Sequence, residues 1–182
     1  MINLEALGRH VTEQSVFSRP PSEQWDPQLC GDIDIQIDEQ GRWIHEGVVI
    51  RRARLVRLLA SVLVREDGEY WLKTPVEKMR IQVADAPFLV TEMGSAEGAE
   101  SLEVITNVGE AVALQDPWTL VAEPAGELRP WIWLTDTLGA RLSRNLYYHL
   151  CHDAVSQDAE PDADGGIYWH DDQGRAWPLG RV

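Results

Sequence analysis

Lysine is almost missing from this 182-residue chain, which has only Lys73 and Lys78. Its 16 basic residues face 30 acidic ones, a net charge of −14, so phosphate backbones and anionic membrane surfaces are repelled over most of the surface. General nucleic-acid and anionic-membrane binding are disfavoured, and only a local basic site could overcome that. The longest apolar run, Leu58 to Val64 broken by Ser61, is far too short to span a bilayer, and Met1 to Glu5 lacks the basic start of a secretory signal. A cytoplasmic protein is expected. Cysteine is limited to Cys30 and Cys151, too few for a disulfide framework or a zinc knuckle. No catalytic motif or complete metal site occurs, so an enzyme is the least favoured reading and no cofactor is expected.

What remains is a 44% hydrophobic chain with eight tryptophans, enough for one domain or two small ones. The positive charge is concentrated. From Arg42 to Arg80, nine Lys or Arg stand against five Asp or Glu, net +4, and the rest is net −18.

Residues 1–29 read as a helix-prone lead-in broken at Arg19-Pro20-Pro21-Ser22. Ile33, Ile35 and Ile37 alternate with Asp34, Gln36 and Asp38, the period of a half-buried strand, and Glu39-Gln40-Gly41 turns it towards Trp43-Ile44. Leu55, Val56, Leu59, Val62 and Leu63 share one face of a helix spaced over 51–66, ended by Asp67-Gly68. A hairpin over 69–74 and 78–84 follows. The order strand, helix, hairpin returns around Trp131-Ile132, Ala140 to Leu150 and Tyr168-Trp169, with the helices matching at an offset of 87. Duplication is the simplest explanation, and the competing reading is two similar amphipathic helices built by coincidence from common helix residues. Further strands are expected at 102–106, 111–114, 119–122 and 128–134, and a mobile acidic loop at 156–166. The fold class is α+β, with a first domain over 30–88 and a second over 89–182.

The blocks Cys30-Gly31-Asp32-Ile33-Asp34, Thr74-Pro75-Val76-Glu77-Lys78 and Val83-Ala84-Asp85-Ala86-Pro87-Phe88 resemble the bacterial domain-of-unknown-function family 1285. Thr106-Asn107-Val108-Gly109, Leu138 to Arg144 and Trp177-Pro178-Leu179-Gly180 continue the resemblance over about 150 residues. Val49 and Thr135 depart from the pattern, standing where a proline and an arginine are usual. The resemblance implies two related α+β domains, the second loosely pleckstrin-homology-like, with a nucleotide-like ligand at their interface and a role in signalling. It implies no enzymatic activity.

A turn at Thr74-Pro75-Val76-Glu77 would set Lys73 and Lys78 at facing strand ends. With Thr74 and Arg80 they would hold a phosphate or carboxylate; the competing reading is a solvated hairpin whose lysines pair with nearby acids. Arg54, Arg57 and Arg65 line one helix, and Arg141, Arg144, Tyr148 and His152 line the second. Either these are solvent faces, or they converge on an interdomain cleft. His149, His152 and Asp153 lack a further metal ligand, Cys30 lacks a demonstrable base, and Asp32, Asp34 and Asp38 lack the remaining ligands of a calcium loop.

The expected function is regulation by an anionic, nucleotide-like ligand bound in the interdomain cleft. Lys73, Thr74, Lys78, Arg80, Arg141 and Arg144 supply anion contacts, and Thr106, Asn107 and Tyr148 supply hydrogen bonds or stacking. The alternative is a protein-interaction adaptor with a protein partner and no small ligand.

Overall fold

The computed structural model describes residues 17–94, 101–122, 128–157 and 161–181. The expected N-terminal helix lies largely on residues 1–16, outside the described residues. The chain divides into two compact units. The first runs to Phe88 and takes in Asn107–Glu110 and Asp136–Leu138; the second holds the rest.

In the first unit the strands β1 (Leu29–Ile37), β2 (Trp43–His45), β3 (Val48–Val49), β4 (Leu63–Glu66), β5 (Glu69–Lys73) and β6 (Glu77–Val83) form one sheet in the order β3-β2-β1-β6-β5-β4. Two antiparallel meanders are joined by a parallel pair, β1 with β6. Helix α1 (Ala53–Ser61) connects them and buries Leu59 and Ala60. Ile35, Ile37, Trp43, Leu72 and Ile81 fill the core, as the period-2 alternation requires.

Helix α1 is much shorter than the expected span 51–66. Leu63 to Glu66 form a strand instead, because Asp67 and Gly68 both adopt positive φ (52° and 83°) and close a two-residue hairpin that pairs Glu66 with Glu69. Asp67-Gly68 is therefore a hairpin turn and not a helix stop. Glu46-Gly47, with φ of 48° and 76°, does the same between β2 and β3.

In the second unit β7 (Phe88–Gly94), β8 (Leu102–Thr106), β9 (Ala111–Leu114), β10 (Thr119–Ala122), β11 (Leu128–Trp133) and β12 (Gly139–Leu142) are ordered β10-β11-β12-β7-β8-β9. Read from β9, this repeats the first sheet strand for strand. A matching bond follows each central pair: Ala84 N donates to Ile37 O at 2.9 Å, and Ser143 N to Val90 O at 2.8 Å. Two similar sheet-dominated α+β units are thus present.

Their helices occupy different places in the order. Helix α2 (Arg144–Ser156) follows β12, capped by Ser143, whose Oγ accepts from Leu146 N. Ala140 to Leu142, expected at the start of this helix, belong to β12 and are wholly buried. A strand buried on both faces shows neither period, which is why the alternation was invisible. The offset of 87 therefore matches the first residues of α1 to the strand β12 and only its later residues to α2.

A separate hairpin, β13 (Gly166–His170) with β14 (Ala176–Arg181), ends the second unit. Trp118 Nε1 donates to Pro178 O and Tyr147 Oη to Leu179 O, tying β14 to the segment before β10 and to α2. Within the expected loop 156–166, residues 158–160 lie outside the described residues. Asp162 organises the next turn, accepting from Asp164 N, Gly166 N and Tyr168 Oη.

Candidate functional site

The β5–β6 hairpin places Lys73 directly opposite Lys78, and Trp71 directly opposite Arg80. Residues two apart share a face, so all four lie on one side, joined by Glu69, by Glu66 of β4 and by Asp32 of β1. Facing like charges are unfavourable unless an anion lies between them. Here Glu66 supplies it: Oε1 lies 3.0 Å from Lys73 Nζ and Oε2 2.5 Å from Lys78 Nζ. Lys73 and Lys78 side chains are only 11% and 17% exposed, against 36% for Glu66. Two nearly buried ammonium groups therefore share one more accessible carboxylate.

Lys78 Nζ also sits 4.3 Å from the Trp71 ring centroid, with the Arg80 guanidinium carbon 5.9 Å away. Arg80 is spanned by Asp32 at 2.7 Å and Glu69 at 2.8 Å. Three cations thus meet three carboxylates on this face. The lysine corner alone carries an excess of +1, and the Arg80 corner carries −1.

Charge sets the titration. The Lys78 hydrogen bond, helped by Lys73 and opposed by burial, holds the Glu66 carboxyl below its usual range, so it is ionised at neutral pH. Arg80 is pushed further up by its bonds to Asp32 and Glu69. Thr74 closes the hairpin, its Oγ1 donating to Glu77 O and accepting from Glu77 N.

The remaining expected site residues lie elsewhere. Thr106 is buried at the end of β8, and Asn107 in the first unit donates through Nδ2 to Gly41 O at 3.1 Å. Arg141 is a buried strand residue, stacked 5.0 Å over Trp131 and donating to Arg129 O, so it does not belong to a helical arginine stripe. Arg144 opens α2 and is exposed, and Tyr148 is 62% exposed. On the first side, Arg54 and Arg57 are exposed on α1, whereas Arg65 lies on β4, 5.5 Å from the Tyr70 ring. No group of metal-ligating side chains occurs among the described residues.

The repeated sheets show what this corner corresponds to. Trp131 pairs with Arg141 across β11 and β12 as Trp71 pairs with Arg80 across β5 and β6. Two residues further on, where the first unit has Lys73 and Lys78, the second has Trp133 and Gly139. A Cβ on Gly139 would lie 2.3 Å from the Trp131 indole, so the ring takes the space of the missing side chain. The lysine pair is specific to the first unit. Glu66, Glu69 and Trp71 were missed as site residues because a helix through Glu66 kept it off the sheet; reading Asp67-Gly68 as a hairpin turn would have placed it opposite Glu69.

Family-level comparison follows this division. Residues 20–86 match the N-terminal domain of a domain of unknown function (DUF1285), and residues 87–173 match the C-terminal domain of the same family. A DUF1285 protein from Silicibacter pomeroyi DSS-3 is 32% identical, with a TM-score of 0.75 over 98% of this chain and 95% of its own. Another, from Shewanella baltica OS155, is 31% identical, with a TM-score of 0.54 over 65% of this chain and 90% of its own. No curated protein matches the chain.

Proposed function

The chain belongs to the DUF1285 family, and from that premise we propose that it is a regulatory protein which binds an anionic, nucleotide-like ligand at the lysine corner of its first unit. One observation carries this reading: two opposed, largely buried lysines converge on a single carboxylate beside an indole ring. A hairpin that needed only an ion pair for stability would need one lysine, since exposed pairs contribute about 0–1 kcal/mol and a facing second cation opposes folding. The second ammonium makes the corner a receptor for an anion. Lys73 and Lys78 would hold the anion, with Trp71 and Arg80 bordering it. Thr74 shapes the turn without contacting the ligand.

Thr106 and Arg141 are buried and Asn107 donates to Gly41 O, so they are not needed for this reading. Arg144 and Tyr148 present exposed side chains on α2 and are secondary candidates. A signalling role, a cytoplasmic setting and a pleckstrin-homology-like second unit, with its helix after six strands, complete the proposal. No helix among the described residues is long and apolar enough to cross a membrane.

The test is a thermal-shift panel of nucleotides and dinucleotides on the full chain. A ligand at 100 times its dissociation constant stabilises by about 2.7 kcal/mol, and a Lys73→Ala/Lys78→Ala variant should lose that shift. A flat panel at saturating concentration sinks the proposal.

The adaptor reading has its own observation. Leu29 and Val76 are 63% and 71% exposed, and Leu29 pairs with Glu77, so both lie at one end of the β1–β6 pair. If that end binds a protein, Leu29→Asp and Val76→Asp will abolish the interaction while leaving any nucleotide shift intact.

A further inference from the structure

We infer that Glu66 is a resident competitor for the lysine corner, so that the ligand admitted there carries a phosphomonoester or polyphosphate group and not a lone carboxylate. This rests on the anion-binding reading above. The argument starts from the bite of the occupant. Each Glu66 oxygen meets one ammonium, Oε1 at Lys73 and Oε2 at Lys78, as an incoming oxyanion would have to do. The corner is already organised around two anionic oxygens.

Tethering then decides what can displace it. Glu66 is the last residue of β4, one step from the Asp67-Gly68 turn, and its backbone is fixed opposite Glu69. An intramolecular group held by a short tether acts at an effective concentration of about millimolar or more. A free monocarboxylate offers the same charge and the same two oxygens, so at ordinary concentrations it loses to Glu66. A phosphate monoester brings a charge near −2 and three acceptor oxygens, enough to satisfy both ammonium groups and exceed the carboxylate.

The exchange has a defined direction of movement. Glu66 is the most exposed member of the trio, at 36%, so it is the group that turns to solvent. The lysines stay, with Lys78 held against Trp71. Release by acid is disfavoured, because both lysines lower the Glu66 carboxyl. The charged groups facing Glu66 include Lys73 on β5 and Lys78 on β6, with Glu69 as its cross-strand neighbour. Glu69 is itself paired to Arg80. The corner therefore opens by competition and not by protonation.

Isothermal titration of the full chain with pyrophosphate, and separately with acetate, tests this on wild type, Glu66→Gln and Lys73→Ala/Lys78→Ala. The expected result is tighter pyrophosphate binding by Glu66→Gln than by wild type, by tenfold or more, with acetate measurable only in Glu66→Gln. The lysine variant should bind neither. Equal pyrophosphate affinity in wild type and Glu66→Gln, with loss in the lysine variant, overturns the competitor while leaving the anion site standing. No binding by any protein overturns both, and acetate binding to wild type as tight as pyrophosphate overturns the ligand class. Should the double variant fail to fold, Lys78→Gln, which leaves buried Lys73 in place, serves instead. Arms with ATP and with vesicles containing phosphatidylinositol 4-phosphate distinguish a soluble phosphate from a lipid headgroup, and binding in either arm satisfies the inference.

Discussion

Replacing Asp171 by alanine should cost far more stability than replacing Asp38, although the two residues build the same turn. In Asp38-Glu39-Gln40-Gly41-Arg42 and Asp171-Asp172-Gln173-Gly174-Arg175, the aspartate Oδ1 accepts from the Gln and Arg backbone N–H groups, and Oδ2 accepts from Arg Nε at 2.7 Å. Each glycine has positive φ, 70° and 74°. The difference is the tryptophan. Ala176 sets Trp177 one residue further along, and its Nε1 donates to Asp171 Oδ2 at 3.0 Å, whereas Trp43 Nε1 finds no partner among the described residues. Asp171 is 5% exposed and Trp177 fully buried, while Arg42 beside Asp38 is 57% exposed and rehydrates readily. Orphaning a buried donor costs about 1–3 kcal/mol, and each lost net hydrogen bond about 0.5–1.5 kcal/mol. Asp171→Ala should therefore cost about 3–4 kcal/mol and Asp38→Ala about 1 kcal/mol. For a chain of this size these correspond to drops of about 6–16 °C and 2–4 °C. Differential scanning calorimetry of both variants reads the gap, with two transitions fitted because the units can unfold separately. Equal losses, or a larger one at Asp38, would refute the reasoning.

Three further outcomes are expected. Trp177→Phe should destabilise more than Trp43→Phe, because only the former removes a donor from Asp171; urea midpoints compare them, and the reverse order counts against the bond. Gly139→Ala should cost about 1–3 kcal/mol through overpacking against Trp131 and alter the near-UV circular dichroism, and an unchanged spectrum and midpoint would contradict it. The stability gap between wild type and Asp171→Ala should also close in acid. Burial raises the Asp171 carboxyl, but bonds from Trp177 and Arg175 outweigh it and hold it below the usual range. Its contribution is full above the unfolded-state value and is lost as pH falls through the depressed folded value, so a gap that widened with acid would be inconsistent.

Much of the sheet was legible because alternation survives wherever one face is wet. The strands at 33–37, 102–106 and 111–114 carry that signal, whereas Pro130, Trp131 and Ile132 are buried in succession, and the lysines of the β5–β6 hairpin fall opposite each other as the Thr74–Glu77 turn requires. The helix boundaries were not legible. Leu63-Val64-Arg65-Glu66 continues the apolar spacing of α1, and only the turn chemistry of Asp67-Gly68 reveals the change of period. Ala140-Arg141-Leu142 consists largely of good helix formers, whereas the burial of Arg141 in β12 and its stack on Trp131 depend on pairing with the neighbouring strand. The partner of the lysines was hidden for the same reason: Glu66 reaches them only through a strand that helical periodicity concealed.

The most direct test is a crystal structure of the full chain grown with saturating pyrophosphate. The expected density is a phosphate group within about 3 Å of both Lys73 Nζ and Lys78 Nζ, with the Glu66 carboxylate turned towards solvent. Glu66 still bridging both lysines, with no anion at the corner, would contradict it.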